Sequence, residues 1–353
     1  MNKYSVIGIM SGTSLDGLDI IYCHLSLDKK WSYNIIKSHT YQYPQTWRKK
    51  LISAHLLKSR DFIFLDHEFG KFVGEMINQF IQDNKIVKEE IDLISSHGHT
   101  IFHEPENGFS FQLGNGVQIC ARTNIKTICD FRTLNVAFGG QGAPLVPIGD
   151  QLLFSSYKAC LNLGGIANIS FKNDGELIAG DINFANMISN YLAEKLDFSY
   201  DKDGHLAARG TYNENLMSQL KELEFYSKEF PKSLGSEDFN RWYKPIFDNS
   251  NCSINDQLFT SGIHLCETIK NCLNVVSKDE VLITGGGSYN NFWITKLKEL
   301  KINAIVPNPI LVDFKEALIF AFLGVLKIRD EYNSLSSVTG SFKNLKTGVI
   351  YNS

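Results

Sequence analysis

The chain lacks the marks of several large protein classes. No apolar run approaches the ~20 residues of a membrane-spanning helix. The most apolar stretch, residues 319–326, is hemmed in by Lys315, Glu316 and Lys327 and reads as a buried helix. An apolar strand pattern begins at Tyr4, so no secretory signal is expected ahead of it. Cysteine is scarce: seven residues, an odd number, with no C-x-x-C pair. That pattern indicates no disulfide framework, and reduced thiols in a cytoplasmic protein are the expectation. Neither sign of charge is in excess. The 35 Lys and Arg against 38 Asp and Glu leave a net charge of -3, which offers neither nucleic acid nor an anionic membrane a standing attraction. With 43% hydrophobic and 21% charged residues, the balance is that of a globular protein, long enough for two domains or one large α/β unit.

What is present concentrates in glycine-rich turns between apolar strands. The first is Gly8-Ile9-Met10-Ser11-Gly12-Thr13-Ser14-Leu15-Asp16-Gly17-Leu18-Asp19, flanked by strand patterns at residues 4–9 and 18–25. Small residues let a backbone approach a ligand, and successive N–H groups in a turn form an anion-binding concavity. Two hydroxyls and two carboxylates, Asp16 and Asp19, suit phosphate and a hydrated cation. By itself the segment reads equally well as a tight hairpin with solvated polar residues. A second turn, Asn162-Leu163-Gly164-Gly165-Ile166-Ala167-Asn168, again lies between strand patterns, and residues 6–25 and 160–181 both run strand, glycine turn, strand into a third strand. This echo indicates a duplicated α/β fold with a cleft between its halves. A third turn, Thr284-Gly285-Gly286-Gly287-Ser288-Tyr289-Asn290, ends a strand and opens a helix. There ligands commonly bind, and three glycines admit a flat group such as a purine. The turn is not G-x-G-x-x-G, and no acidic residue is placed for a nicotinamide ribose, so a dehydrogenase is not indicated.

Helix patterns cover residues 45–57, 61–83 (with Phe64, Phe69, Phe72, Met76 and Phe80 as the core stripe), 186–195, 256–276 (with Leu258, Leu265, Ile269, Cys272 and Val276 on one face), 291–300 and 313–329. Strands are expected at 32–43, 91–96, 126–130, 176–180, 281–284 and 304–306, and the Gly- and Pro-rich stretch 138–147 is expected to be irregular near a domain junction. His97, His99 and His103 invite a metal reading, but no Cys or further His completes a familiar spacing, and hydrogen bonding is the better account. Two carboxylates stand out. Asp181 follows the strand 176–180, where it can act as a general base on a hydroxyl or a water. Glu316 lies in the first turn of an apolar helix, where the helix dipole alone accounts for an acid.

At this point ordered pieces of the chain resemble one family, the anhydro-N-acetylmuramic acid kinases, of the acetate and sugar kinase, heat-shock ATPase and actin superfamily. The pieces are Ser11 to Asp19, Ser96-His97-Gly98-His99-Thr100, Asp130-Phe131-Arg132, Gly139-Gly140-Gln141-Gly142-Ala143-Pro144-Leu145-Val146-Pro147, Asn162 to Asn168, Pro231-Lys232-Ser233-Leu234-Gly235, Gly285-Gly286-Gly287, Phe314-Lys315-Glu316-Ala317 and Ser337-Val338-Thr339-Gly340. The resemblance implies a duplicated ribonuclease-H-like (actin-like ATPase) fold, with one domain from residues 1–131 plus 335–353 and the other from 132–334, flanking a central cleft. It implies a cytoplasmic homodimer that uses ATP, Mg²⁺ and water to open the 1,6-anhydro ring and phosphorylate the 6-hydroxyl in cell-wall recycling. Asp181 falls on the family's base and Glu316 on a sugar contact beside it, with His97 and Arg132 as further sugar contacts. Gly12, Thr13, Ser14, Leu15, Asp16, Gly17, Leu18 and Asp19 would carry the ATP phosphates, with Gly164 and Gly165 facing them. Gly285, Gly286 and Gly287 would carry the adenosine, and Asp16 and Asp19 are the candidate Mg²⁺ ligands. The chain departs from the family pattern Asp-Thr-Gly-Pro-Gly-Asn at Asp181-Ile182-Asn183-Phe184-Ala185-Asn186, has His99 in place of Gln, and has Asn135 in place of Asp, a charge removed from the rim of the sugar region. The altered loop keeps a related kinase of different selectivity in view. A catalytically silent sugar sensor is the non-enzymatic alternative, against which the retained Asp181 and Glu316 count.

Overall fold

The computed structural model describes residues 2–173, 175–273 and 279–353. They form two compact units, one of residues 1–153 and 314–353 and the other of residues 154–313.

In the first unit, β1 (Asn2–Ser11), β2 (Leu18–Leu27) and β3 (Trp31–Tyr41) form an antiparallel meander. Next to β1, and parallel to it, lies β4 (Leu93–Glu104), which also pairs with β5 (Phe109–Leu113). β6 (Thr127–Cys129) is parallel to β4. The second unit repeats the order. β7 (Ala159–Leu163), β8 (Ile166–Asn173) and β9 (Glu176–Phe184) are an antiparallel meander, and β10 (Glu280–Thr284) and β11 (Asn303–Ile305) add in parallel beside β7. A last strand, β12 (Val349–Tyr351), returns antiparallel to β6. Among the described residues the sheets therefore read β12-β6-β4-β1-β2-β3 and β11-β10-β7-β8-β9. The 3-2-1-4-5 core order occurs twice, and each copy is of ribonuclease-H type. The duplication expected from the two glycine turns is present in the pairing itself.

Each unit buries its own core. In the first, the helix Ser59–Asp83 turns Leu65, Phe69, Val73, Ile77 and Phe80 inward against Ile7, Ile9 and Ile20. The expected stripe began one residue early: Phe64 is 61% exposed, because the i, i+4 ladder that meets the sheet starts at Leu65. In the second, Leu161, Ile169 and Phe184 from the sheet meet Leu258, Leu265 and Ile269 of the helix Ile254–Cys272. The expected end of that helix, with Val276, lies outside the described residues.

Within the helix Pro309–Ile328, residues 317–326 are apolar on every side and buried all round. The fit of this helix requires glycine on its neighbours, Gly8 on β1 and Gly149 in the helix Pro147–Leu153. A Cβ on Gly8 would stand 2.3 Å from the Ala317 carbonyl oxygen, and one on Gly149 would stand 2.7 Å from Ile319. The unit limits differ from the expected cuts at 131/132 and 334/335. Residues 132–153 stay with the first unit through Asn135, whose amide donates to Ser334 Oγ and Thr339 Oγ1, through Gln141 N–H on the Thr339 carbonyl, and through the buried ion pair of Asp150 and Lys315 at 2.7 Å. The irregular stretch 138–147 therefore closes a hydrogen-bonded corner shortly before the junction at 153.

Candidate active site

The candidate residues fall in both units. In the first, the β1–β2 connection runs from Gly12 to Gly17. Leu15 has a left-handed backbone, φ 61, which a branched side chain adopts at a cost of about 1–2 kcal/mol. Its side chain packs on the core of the first unit, and its N–H reaches the Gly12 carbonyl at 3.3 Å. That anchor leaves Thr13, Ser14 and Asp16 exposed. Among the described residues the only atom within 4 Å of a Cβ on Gly12 would be Ser14 Oγ at 3.5 Å, whereas one on Gly17 would press within 2.7 Å of the Tyr41 carbonyl oxygen. The two glycines thus answer different demands: Gly12 keeps the face of the turn open, and Gly17 lets β3 approach. Asp19 is half-buried, with Oδ1 accepting from Thr40 Oγ1 at 2.6 Å. Beneath the turn, Ser11 Oγ shares hydrogen bonds with Tyr43 OH at 2.6 Å and His99 Nδ1 at 2.8 Å. Burial holds His99 down to about 4, so its ring is neutral.

His97, Arg132 and Glu316 are grouped in this unit. His97 is 4% exposed. Its Nδ1 faces the Gly98 carbonyl at 2.9 Å, and Arg132 reaches its Nε2 from Nε at 3.0 Å and from Nη2 at 2.9 Å. A carbonyl only accepts and a guanidinium only donates, so the neutral ring carries its proton on Nδ1. Burial, with Arg132 adding to it, holds His97 well below the ordinary histidine value. Both ring nitrogens are thereby occupied, and what His97 presents is an oriented Arg132, whose Nη1 also donates to the Gly142 carbonyl at 2.8 Å. Burial lowers Arg132 to about 10, against the pull of Glu316, and it remains a cation at neutral pH. Glu316 is pushed up by the protein packed around it, with Lys315 and Arg132 opposing. Its side chain is nevertheless exposed, and water offsets much of that push. Asn135 is not on a rim. It is fully buried, with Oδ1 accepting from Gly142 N–H at 2.7 Å, where an ionised Asp would lose the two amide donors to Ser334 and Thr339.

In the second unit the Gly164–Gly165 turn supplies carbonyls to the N–H groups of Ala185, Asn186 and Met187. It thereby caps the helix Asn186–Glu194. Among the described residues nothing lies within 4 Å of a Cβ on Gly165. The Gly285 turn sits directly against it. Gly285 has φ 80, and a Cβ there would stand 2.5 Å from Asn162 Oδ1. Beside these glycines Thr284 Oγ1 and Ser288 Oγ are buried with no hydrogen-bond partner among the described residues.

Asp181 lies inside a strand, not beyond its end. β9 runs on to Phe184 because Ile182 and Phe184 are buried in the core and Asn183 finds polar partners. A bulge opposite Ala167 and Asn168 brings Asp181 level with Asn168. The half-buried carboxylate is held by the segment 230–234: Asp181 N–H donates to the Lys232 carbonyl at 2.9 Å, and Leu234 N–H donates to Oδ2 at 2.9 Å. Burial raises Asp181 to about 6, and the Leu234 N–H opposes it. Sequence reasoning missed Lys232 and Leu234 as supports of Asp181; the only signal was their place in the quoted segment from Pro231 to Gly235.

Among the described residues no group of three or more His, Cys, Asp or Glu side chains is placed to hold a metal ion. The three histidines turn to separate protein partners, His103 Nδ1 to Ser110 Oγ at 3.1 Å. Asp16 and Asp19 still fit Mg²⁺, which takes one or two carboxylates and draws its other ligands from water and phosphate. Among the described residues no cysteine is in a disulfide, and no helix is long and apolar enough to cross a membrane.

A ribonuclease-H-like core occurring twice, with an open glycine turn joining the first two strands of each copy, defines the actin-like ATPases and the sugar kinases built on them. Within that class the chain belongs to the anhydro-N-acetylmuramic acid kinase family, whose model matches residues 4–353. A relative named anhydro-N-acetylmuramic acid kinase from Sulfurimonas denitrificans is 32% identical over 98% of this chain and 98% of its own. One of the same name from a Sulfurovum species is 33% identical over 99% and 100%. Among solved structures, the (R)-2-hydroxyglutaryl-CoA dehydratase component A of Acidaminococcus fermentans is 13% identical over 90% of this chain and 96% of its own, at a TM-score of 0.47, too slight a likeness to add to the topology. The chain is a sugar kinase, with a sugar and ATP as its substrates.

Proposed function

We propose that the chain opens the ring of 1,6-anhydro-N-acetylmuramic acid with water and phosphorylates the freed 6-oxygen, giving N-acetylmuramic acid 6-phosphate for cell-wall recycling. The observation that carries the reading is Asp181: a half-buried carboxylate, oriented by a backbone N–H, with its proton affinity raised toward neutrality, as a general base requires. Asp181 takes a proton from a water whose oxygen bonds to C1. The C1–O6 bond breaks, its electron pair stays on O6, and O6 bonds to the γ-phosphorus as ADP leaves with the bridging oxygen. The proton on Asp181 then passes to solvent.

In this reading Glu316 accepts hydrogen bonds from the sugar, and Arg132 presents it with a cation whose direction His97 sets. The turn from Gly12 to Asp19 and the Gly164–Gly165 turn take the phosphates, and Gly285 to Gly287 take the adenosine. Asp16 and Asp19 would hold Mg²⁺, which when bound neutralises phosphate charge. A cytoplasmic location, where ATP is made, and a homodimeric state accompany the reading. The buried, strand-like course of residues 182–184 favours one second reading, a kinase of the same type with altered sugar selectivity.

The test is Asp181→Asn, with ATP affinity measured by calorimetry and turnover by coupled ADP release. We expect ATP affinity within about twofold of wild type and turnover reduced by roughly 10²–10⁴. A variant within a few-fold of wild type would remove Asp181 from the role of base. Turnover by the wild-type chain of another sugar, but not of the anhydro sugar, would establish the second reading.

A further inference from the structure

Asn183, two residues beyond Asp181, is 1% exposed and satisfied on both sides of its amide. Oδ1 accepts from Tyr226 OH at 2.7 Å; Nδ2 faces His264 Nδ1 at 3.2 Å and donates to Thr268 Oγ1 at 3.1 Å. Tyr226 OH in turn accepts from Tyr243 OH at 2.8 Å. Burial holds His264 down to about 3, so the ring is neutral, and an Nδ1 that accepts from an amide places its proton on Nε2. Every hydrogen in the chain Tyr243, Tyr226, Asn183, His264 therefore has one direction.

The network joins the two segments that define the setting of Asp181. Tyr226 begins the stretch that continues to Lys232 and Leu234, the two residues whose backbone groups grip Asp181. Between these ties, Gly180 lies flat against that stretch: a Cβ there would stand 2.8 Å from both the Lys232 carbonyl oxygen and the Phe230 ring. Residues 226–234 are thus fixed to β9 at one end by the Tyr226–Asn183 bond and at the other by Leu234 on Asp181. Phe184 seals the anchored end, its ring edge-on to Phe239 at 5.5 Å and to Tyr243 at 4.7 Å. These anchors lie among the residues that replace the family's Thr-Gly-Pro-Gly.

We propose that Asn183 and Tyr226 are positioning residues for Asp181, clamping the 226–234 segment so that the Leu234 N–H stays on the carboxylate. The inference rests on the assignment of Asp181 as the base. Release of the clamp lets the Leu234 bond fluctuate. A carboxylate that loses a hydrogen bond to its ionised form becomes more basic and less well aimed.

The experiment compares wild type, Asp181→Asn, Tyr226→Phe and Tyr243→Phe in the full chain, reading kcat, KM for ATP, the pH dependence of kcat/KM for the anhydro sugar, and the carboxyl ¹³C titration of Asp181. Tyr226→Phe is expected to lower kcat by roughly tenfold, leave KM for ATP within about twofold, and move the acid limb and the ¹³C midpoint to higher pH. Tyr243→Phe, which keeps the Tyr226–Asn183 bond, is expected to shift both less. A kcat within twofold of wild type in Tyr226→Phe, or a fall with no shift of limb or midpoint, overturns the proposal. If Tyr226→Phe does not fold, the Asp181 midpoint in Tyr243→Phe decides, with no shift counting against the clamp. If Asp181→Asn stays active, the assignment of the base itself fails, a result separate from any failure of the clamp.

Discussion

Burial and one backbone N–H pull Asp181 in opposite directions, and burial wins. The carboxyl is raised to about 6, so the proposed base is protonated below that pH and ionised above it. The pH profile of kcat/KM for the sugar should therefore rise about tenfold per pH unit in the acid range and level off above about 6; a profile flat from pH 4.5 to 7.5 would mean that no group of this kind limits the reaction. Asp181 stood out as a candidate base from its place after a glycine in the second three-strand unit. Its setting was not, because the groups that hold it are backbone N–H and C=O of residues some fifty positions later, and backbone groups carry no mark in a sequence. His97 shows the complementary gap. Its motif was visible, but the occupation of both ring nitrogens by Gly98 and Arg132 emerged only from the folded geometry, and it makes the residue a support of Arg132. Asn135 looked like a lost charge and proves to be a buried amide with three hydrogen-bond partners.

At the scale of elements, the glycines divide by what lies above them. Among the described residues little or nothing would crowd a Cβ on Gly12 or Gly165, while Gly8, Gly17 and Gly149 are pressed by backbone or side chains. Gly8→Ala should accordingly destabilise the first unit by about 1–3 kcal/mol through overpacking against the helix Pro309–Ile328, read as a lower unfolding midpoint by calorimetry. A midpoint unchanged within error would show that the helix can step away from the sheet without cost. The long apolar-patterned elements were readable because burial of one face dictates their period: the strands at residues 4–9 and 18–25 and the helices 61–83 and 313–329 are found within a few residues of where the pattern puts them. Short or two-sided elements were not. β12 has three residues and no alternation to display, and β5 lay in a stretch punctuated by Gly and Pro. β9 outran its expected end because Asn183, a residue that argues against a strand by propensity, is satisfied there by side chains distant in sequence.

At the scale of the whole molecule, the repeated strand order explains why two glycine turns so far apart in sequence look alike: each joins the first two strands of the same core. The limits of the units were harder to read, since residues 132–153 are joined to the first unit by hydrogen bonds with Ser334, Thr339 and Phe342, which nothing local announces. The second unit is a single uninterrupted stretch with its own core. Residues 154–313 expressed alone should therefore unfold cooperatively in a circular-dichroism melt; a featureless melt would show that this core depends on the rest of the chain.

The first unit has no such continuity, and this bears on synthesis. The part of the apolar helix that covers Gly8 and the strand that pairs with β6 both come after residue 313. A ribosome that has finished residue 153 must add 160 more residues (154–313) before it begins the part of this helix that lies in the first unit, a wait of roughly ten to thirty seconds at ordinary rates of translation. The half that is started first is completed last. Through that interval the nascent chain carries an apolar sheet face shaped for a helix not yet made, which makes it a client for whatever holds unfinished chains apart.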